Sequence, residues 1–362
     1  MRVCLIGNAR ASHLQRWALA YRDVGLDTHV LSIRSADIAG VTVHTTSIGT
    51  ENSVAAPQTA ASYLRLGAQA RSELRRIDPD VVNAHFVTTS GVIARVAGTH
   101  PLVVSAWGSD VVPRDGSIHP RWRLLLDRYA LGGADIVTTT SRFMGSWIAA
   151  IGPSDLDLRT VPFGVDTSHF TPVATSGDGT TFGIAKSLEP RYGIETALQA
   201  FARVRSVVDG ASLLIAGEGR LRADLEAVTA ALGIEDAVRF LGRLEVVEMP
   251  EFMRSIDVLI NPTVVPESFG VVVLEGSAAA LPVVSTDVGG VREVCVPNET
   301  AILVPPGDPT AMADALVSLA SEPDQRSRLG AAGRRFVAEH FEWRDSVATM
   351  IGILREATGA VS

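Results

Sequence analysis

Two doubly wound parallel-sheet α/β domains in tandem are predicted for this chain by three observations. Its 362 residues exceed what one hydrophobic core usually serves, and its 46% apolar content is enough for two. Short apolar runs alternate with helix-length amphipathic stretches, the pattern of a parallel sheet covered by helices. That alternation breaks once, at the Pro-, Gly-, Ser- and Thr-rich stretch 171–180, and then restarts, as it would on either side of a linker.

In the first half, Val3–Ile6, Thr28–Ile33, Val81–Val82, Leu102–Ser105 and Ile136–Thr139 read as strands, being short apolar runs. Ser12–Asp23, Ala60–Ile77 and Pro120–Leu131 read as the helices between them. Leu66, Ala70, Leu74 and Ile77 give the second helix an apolar stripe at helical spacing. In the second half the strands are Thr181–Ile184, Ser212–Ala216, Val238–Leu241, Val258–Ile260 and Pro282–Ser285. Helices start at Ile194 and span Arg220–Leu232 and Gly270–Ala280. Each sheet would offer a crevice at the carboxyl ends of its strands, and two facing crevices would make one cleft.

A net charge of -8 with 20% charged residues argues against a general nucleic-acid binder, which needs a basic face. Cys4 and Cys295 are too few and too far apart for a disulfide framework or a metal cluster. The apolar run after Met1 is too short for a signal-peptide core, and no run approaches the ~18 apolar residues of a membrane span. A cytoplasmic location is the expectation.

The most specific local pattern is Pro266-Glu-Ser-Phe-Gly-Val-Val-Val-Leu-Glu275, two carboxylates flanking a helix start. Ser268 is expected to cap that helix, which leaves the amides of Phe269, Gly270 and Val271 as its first donors. Such a terminus attracts phosphate. A carboxylate about two turns in, Glu275, suits the paired hydroxyls of a ribose. A second feature is Lys186, the one lysine among 32 Lys+Arg, which lies five residues before Arg191.

The stretch Val258-Leu-Ile-Asn-Pro-Thr-Val-Val-Pro-Glu-Ser-Phe-Gly-Val-Val-Val-Leu-Glu275 and its continuation to Val294 resemble the nucleotide-sugar site of the retaining glycosyltransferases of family 4. The resemblance covers nearly the whole chain. Gly183–Phe201 is similar to that family's phosphate clamp, Leu213-Leu-Ile-Ala-Gly-Glu-Gly-Arg-Leu-Arg222 to its second strand-turn-helix, and Val161–Phe170 to its hinge entry. It implies the glycosyltransferase B fold, with two Rossmann-like domains facing a cleft. Residues 1–170 would form the acceptor-side domain, 171–180 the linker, 181–341 the nucleotide-sugar domain, and 342–362 a last helix that crosses back.

The implied activity is retaining, metal-independent transfer of a sugar from a nucleotide diphosphate donor, UDP- or GDP-linked, to a small-molecule, lipid or saccharide acceptor. The donor is a co-substrate, and no further cofactor is implied. A nucleotide-sugar epimerase or a silent binding subunit of the same fold is the alternative. Glu267 would hold the transferred sugar. Lys186 and Arg191 would face the diphosphate, with the family's usual arginine-then-lysine order exchanged. The amides of Phe269, Gly270 and Val271 would meet sugar and diphosphate, Glu275 the ribose, and Gly217 and Arg243 the nucleoside.

In the first domain, the loop of Gly7, Asn8, Arg10 and His13 follows strand one, with Gly7 near the diphosphate and His13 and Arg10 facing the cleft. Arg16 and Trp17 are expected to pack. Trp107 stands where the family often has a histidine, in Val104-Ser-Ala-Trp-Gly-Ser-Asp110, and it can stack on a sugar but not ionise. Trp107 and Asp110 are expected in the cleft, with His85 as a substitute imidazole or a core residue. The Asp-x-Asp at Asp155-Leu-Asp157 is not expected to hold metal. Arg65, Arg71, Arg75, Arg76, Arg121, Arg123 and Arg128 form either a solvated face or a weak peripheral contact with anionic lipid.

Overall fold

The computed structural model describes residues 1–46, 59–108, 110–112, 120–172 and 180–359. Ser109, between Trp107 and Asp110, and most of the predicted linker (173–179) lie outside the described residues. The chain divides into two compact units. Unit 1 is Met1–Pro113, Ser117–Pro162 and Arg344–Ser362, and unit 2 is chiefly Phe163–Trp343.

Unit 1 runs β1 (Arg2–Ile6), α1 (Ser12–Asp23), β2 (Asp27–Ser32), β3 (Thr42–Thr45), α2 (Ala60–Ile77), β4 (Val81–His85), a π-helical turn (Phe86–Gly91), α3 (Val92–Ala97), β5 (Leu102–Ser105), α4 (Arg121–Leu131), β6 (Ile136–Thr139), α5 (Arg142–Ile151) and β7 (Leu158–Thr160). Its seven strands pair in the order β3-β2-β1-β4-β5-β6-β7, every pair parallel. Thr59 caps α2 in a reciprocal box with Ser62. As the apolar spacing requires, Leu66, Ala70, Leu74 and Ile77 are buried.

Unit 2 runs β8 (Thr181–Ala185), a 3-10 turn (Pro190–Tyr192), α6 (Ile194–Arg205), β9 (Ser212–Ala216), α7 (Arg222–Ala231), β10 (Val238–Gly242), α8 (Met249–Arg254), β11 (Val258–Asn261), α9 (Val271–Ala278), β12 (Val283–Thr286), β13 (Ile302–Val304), α10 (Pro309–Ser321) and α11 (Pro323–His340). A last helix, α12 (Trp343–Ala357), joins unit 1 from Arg344 onward. The six strands of unit 2 order as β10-β9-β8-β11-β12-β13.

Both faces of this second sheet are buried, which is why its strands read as continuous apolar runs. Leu213, Ile215, Val258 and Ile260 share one core with Phe201 of α6 and Leu316 of α10. The alternate residues Leu259 and Val283 share the other with Leu274 of α9 and Val337 of α11. Each such side chain contributes roughly 1.5–3 kcal/mol by leaving water.

Unit 2 begins at Phe163, not after the predicted linker, because Val165 and Phe170 are buried with Phe269 and Phe341. The C-terminal helix is held within unit 1 by Arg159, whose guanidinium reaches Asp157 at 2.8 Å and Glu356 at 2.5 Å. Among the described residues no helix is long and apolar enough to cross a membrane.

Candidate active site

In each sheet the strand order reverses once, between β1 and β4 and between β8 and β11, and ligands of such folds bind at the carboxyl ends beside that reversal. Lys186 directly follows β8, and Glu267 lies in the loop after β11. Adjacent strands therefore bring together two residues far apart in sequence. The Lys186 ammonium forms an ion pair with Glu267, each side chain only 12% exposed. The Thr263 hydroxyl donates to the same carboxylate oxygen at 3.0 Å, and Asn261 donates to Ser285 at 2.9 Å while its amide lies 3.4 Å from the other Glu267 oxygen.

The backbone of Glu267 is fixed as firmly as its side chain. The Gly290 amide donates to its carbonyl at 2.8 Å. At Gly289, with φ +54°, an added Cβ would stand 2.2 Å from that same carbonyl oxygen. Only glycine permits this approach.

Arg191 sits in the 3-10 turn, its guanidinium 4.6 Å from the centroid of the Tyr192 ring. The Lys186 ammonium lies 5.2 Å from the same centroid. One aromatic ring thus serves both expected clamp cations. Gly217 explains how the strand ends close together: its amide donates to the Gly242 carbonyl at 2.7 Å, and a Cβ there would stand 1.9 Å from the Lys186 carbonyl oxygen. Arg243 follows Gly242 and is largely exposed, with Glu245 as a distant partner at 3.7 Å.

The start of α9 differs from the expectation. Its N-cap is Gly270 in the left-handed region (φ +103°), and no side chain caps it. The helix opens at Val271, so Ser268 and Phe269 precede it and Glu275 lies one turn in, not two. The first helical amides move two residues along, to Val271 and Val272, and Phe269 instead buries its ring against Phe163 and Phe341. The helix starts there because Gly270, having no Cβ, can take the left-handed conformation that turns the chain into it.

In unit 1, Gly7 ends β1, and its loop is tied down by the Ala9 amide donating to Ser32 Oγ at 3.0 Å. His13, in the first turn of α1, meets Phe86 edge-on at 5.1 Å and Trp107 at 5.4 Å. His85 lies 5.0 Å from Trp107 and 6.2 Å from His13. Asn83 Oδ1 accepts from Tyr21 at 3.0 Å and faces His85 Nε2 at 3.0 Å. As an acceptor it fixes the proton on Nε2 and leaves Nδ1 bare. Burial pushes His13 down to about 4 and His85 well below the ordinary range, so both rings are neutral near pH 7.

Asp110 was expected in the cleft, but it is 4% exposed. Its carboxylate accepts the amides of Val87 at 2.9 Å, Trp107 at 3.1 Å and Gly108 at 2.9 Å. It therefore positions Trp107 and the start of the π-helical turn, where Phe86 has a left-handed backbone (φ +75°) costing roughly 1–2 kcal/mol. Burial raises its carboxyl above the usual range, against those three donors. Behind it, Thr88 donates to Asp127 at 2.6 Å. Asp127 is fully buried, its other oxygen has no hydrogen-bond partner, and burial pushes it up to about 6. No sequence signal singles it out.

Other predicted residues stand apart from these clusters. Arg10 is exposed and donates to the Ser35 carbonyl at 3.0 Å. Trp17 packs as expected, 1% exposed. Asp157 is engaged by Arg159, and among the described residues no group of His, Cys, Asp or Glu has a metal-binding arrangement. Arg65, Arg75, Arg76, Arg121 and Arg128 are exposed, Arg71 donates to two carbonyls of α3, and Arg123 donates to the Asp110 carbonyl at 3.2 Å. Tyr192, Thr263, Gly289 and Asn83 were not anticipated. Only the Gly289–Gly290 pair carried a sequence signal.

The family described as Glycosyl transferases group 1 matches residues 167–336, and that described as Glycosyl transferase 4-like matches residues 2–141. A GDP-mannose-dependent alpha-(1-6)-phosphatidylinositol monomannoside mannosyltransferase of Mycobacterium tuberculosis is 32% identical over 279 residues, 72% of this chain and 71% of that protein. A D-inositol 3-phosphate glycosyltransferase of Xylanimonas cellulosilytica is 30% identical over 307 residues, 77% and 72% of the two chains. In fold the chain is similar to a sucrose-phosphate synthase from Thermosynechococcus elongatus (TM-score 0.85, 19% identity, 100% of both chains). It is also similar to the Anabaena protein HepE in complex with UDP and glucose (TM-score 0.80, 18% identity, 98% and 100%). With both halves matched and relatives of 30% identity or more across most of their lengths, the chain belongs to the group 1, family 4-like glycosyltransferases and has their glycosyltransferase B fold.

Proposed function

We propose that this glycosyltransferase moves a hexosyl group from a nucleotide diphosphate sugar to a hydroxyl of a polyol or glycolipid acceptor, with retention of anomeric configuration and without a metal. The observation that carries the reading is the Lys186–Glu267 pair beside Arg191, set close to the open start of α9. GDP-mannose is the first donor candidate, because relatives from two mycobacteria are named GDP-mannose-dependent mannosyltransferases, and an inositol-bearing acceptor is the first acceptor candidate. A UDP-sugar is the second donor candidate.

In this reading Lys186 and Arg191 face the diphosphate, and the first-turn amides and dipole of α9 add positive potential. As the bond from the anomeric carbon to the phosphate oxygen breaks, negative charge grows on the leaving diphosphate and these fixed cations stabilise it. The acceptor oxygen forms its bond on the same face, and its proton passes to a diphosphate oxygen. Glu267 orients the sugar hydroxyls, Glu275 the ribose, and Gly217 and Arg243 border the nucleoside.

Thermal unfolding with GDP, UDP, ADP and dTDP, and with their sugars, tests the donor half. One nucleotide at ~100 times its Kd should stabilise the wild type by about 2.7 kcal/mol, and Glu275→Ala should abolish the shift. No shift from any nucleotide would overturn the assignment. NMR of the product's anomeric proton decides between retention and inversion.

A further inference from the structure

Unit 1 holds a cavity of ≈ 260 Å³ beside the carboxyl ends of β1 and β2, walled by α2, α3 and the π-helical turn. Its walls include Leu31, Leu66, Ala70, Phe86 and Ile93. Of its polar lining, the Ser32 and Thr46 hydroxyls are already used by the protein, and Asn8, Arg34, Thr89 and Ser90 complete it. Ser32 Oγ accepts the amides of Ala9 and Arg34 at 3.0 and 3.1 Å, and Thr46 is bonded to the Ser32 carbonyl at 3.5 Å. Apolar atoms nonetheless make up the larger part of the surface it offers a guest.

The cavity is partly open to solvent, and concave, mostly apolar sites with a few polar groups are where small ligands usually bind. An apolar cavity of about 150 Å³ accommodates a benzene ring, so this one has room for a bicyclic aromatic group or a chain of roughly ten carbons. Its position says which molecule that group belongs to. Gly7 and Asn8, at the cavity's edge, open the loop that leads to His13, and Phe86 lines the cavity while its ring meets His13 edge-on. Phe86, left-handed at φ +75°, is thus shared by the cavity and the His13–Trp107 cluster.

We propose that this cavity receives the apolar part of the acceptor, an alkyl or aryl group of about ten carbons attached near the hydroxyl that is glycosylated. The assignment rests on the transferase reading for the word acceptor, but the cavity's preference is measurable without catalysis. It separates the two kinds of acceptor that the relatives' names suggest, a lipid and a soluble inositol phosphate, in favour of the first.

The test compares methyl and n-octyl β-D-glucopyranoside, the latter below its micelle concentration, by calorimetric titration of the full chain. The wild type should bind the octyl glycoside at least tenfold more tightly, since each buried methylene is worth a factor of about four and burying two already exceeds tenfold. Ala70→Leu, which fills the cavity from α2, should reduce that advantage below twofold while the nucleotide-induced thermal shift persists. Ile93→Ala, which enlarges it, should move the preference toward the dodecyl glycoside, and this variant decides the matter if Ala70→Leu does not fold. Equal or undetectable binding of the two probes by the wild type, or an octyl preference that survives filling, overturns the proposal. Loss of the nucleotide shift in the wild type with the octyl preference intact would instead overturn the donor assignment alone.

Discussion

At the scale of single residues, Lys186 and Glu267 form the pair on which the chemistry turns. Glu267→Gln keeps the shape and the Thr263 contact but removes the charge, leaving the ammonium uncompensated in a site with little exposure. Its kcat should fall by about 10²- to 10³-fold, the usual effect of removing one preorganised electrostatic contact, with a change of only a few degrees in Tm; steady-state kinetics and calorimetry check both. Asp127 makes a prediction about pH. Its carboxyl is raised from 3.8 to about 6 in the folded protein. The folded state therefore holds this proton more tightly, and the stabilisation is complete below pH 3.8 and lost as pH rises through 6. Asp127→Asn should be more stable than the wild type at pH 8, by on the order of 2–3 kcal/mol at most, with the difference vanishing near pH 4. Urea titrations at the two pH values measure it, and an equal difference at both would contradict the assignment.

Individual elements make their own demands. Gly217→Ala puts a methyl group against the Lys186 carbonyl, so β8 and β9 must part at their ends. Lower thermal stability together with loss of the nucleotide shift is expected, whereas Gly233→Ala, where no atom lies within 4 Å, should leave the nucleotide shift unchanged. Arg159→Ala removes the clasp on α12, and the amides of 343–357 should exchange severalfold faster with solvent while those of β1 and β4 do not change. The central strands were legible in the sequence because both of their faces are buried, so Leu213–Ala216 and Val258–Ile260 show unbroken apolar runs. The edge strands β3, β7 and β13 were not, since Thr42–Thr45 and Leu158–Thr160 have no fully buried residue and so no periodic signal. Within the candidate site, Lys186, Arg191, Glu267 and Trp107 could be picked out by motif. Tyr192, Thr263, Asn83 and Asp127 could not, because their importance comes from which strand ends lie side by side. The misplaced start of α9 has the same origin: Ser268 is a good cap by composition, and only the backbone shows that Gly270 takes that place.

For the whole molecule, two units with separate cores predict two unfolding steps in a calorimetric scan, and the proposed donor residues Lys186, Arg191, Glu267 and Glu275 all belong to unit 2. A saturating nucleotide should move the unit 2 transition upward and leave the other nearly in place. A single transition that moves as one would show that the units unfold together. The solitary lysine has a consequence of a different kind. Apart from the amino terminus, Lys186 is the only aliphatic amine in the chain, and it sits at the centre of the candidate donor site. An acylating reagent therefore has one side-chain target, so a mass shift of a single label on one peptide reports directly on whether that site is occupied, without any engineered tag.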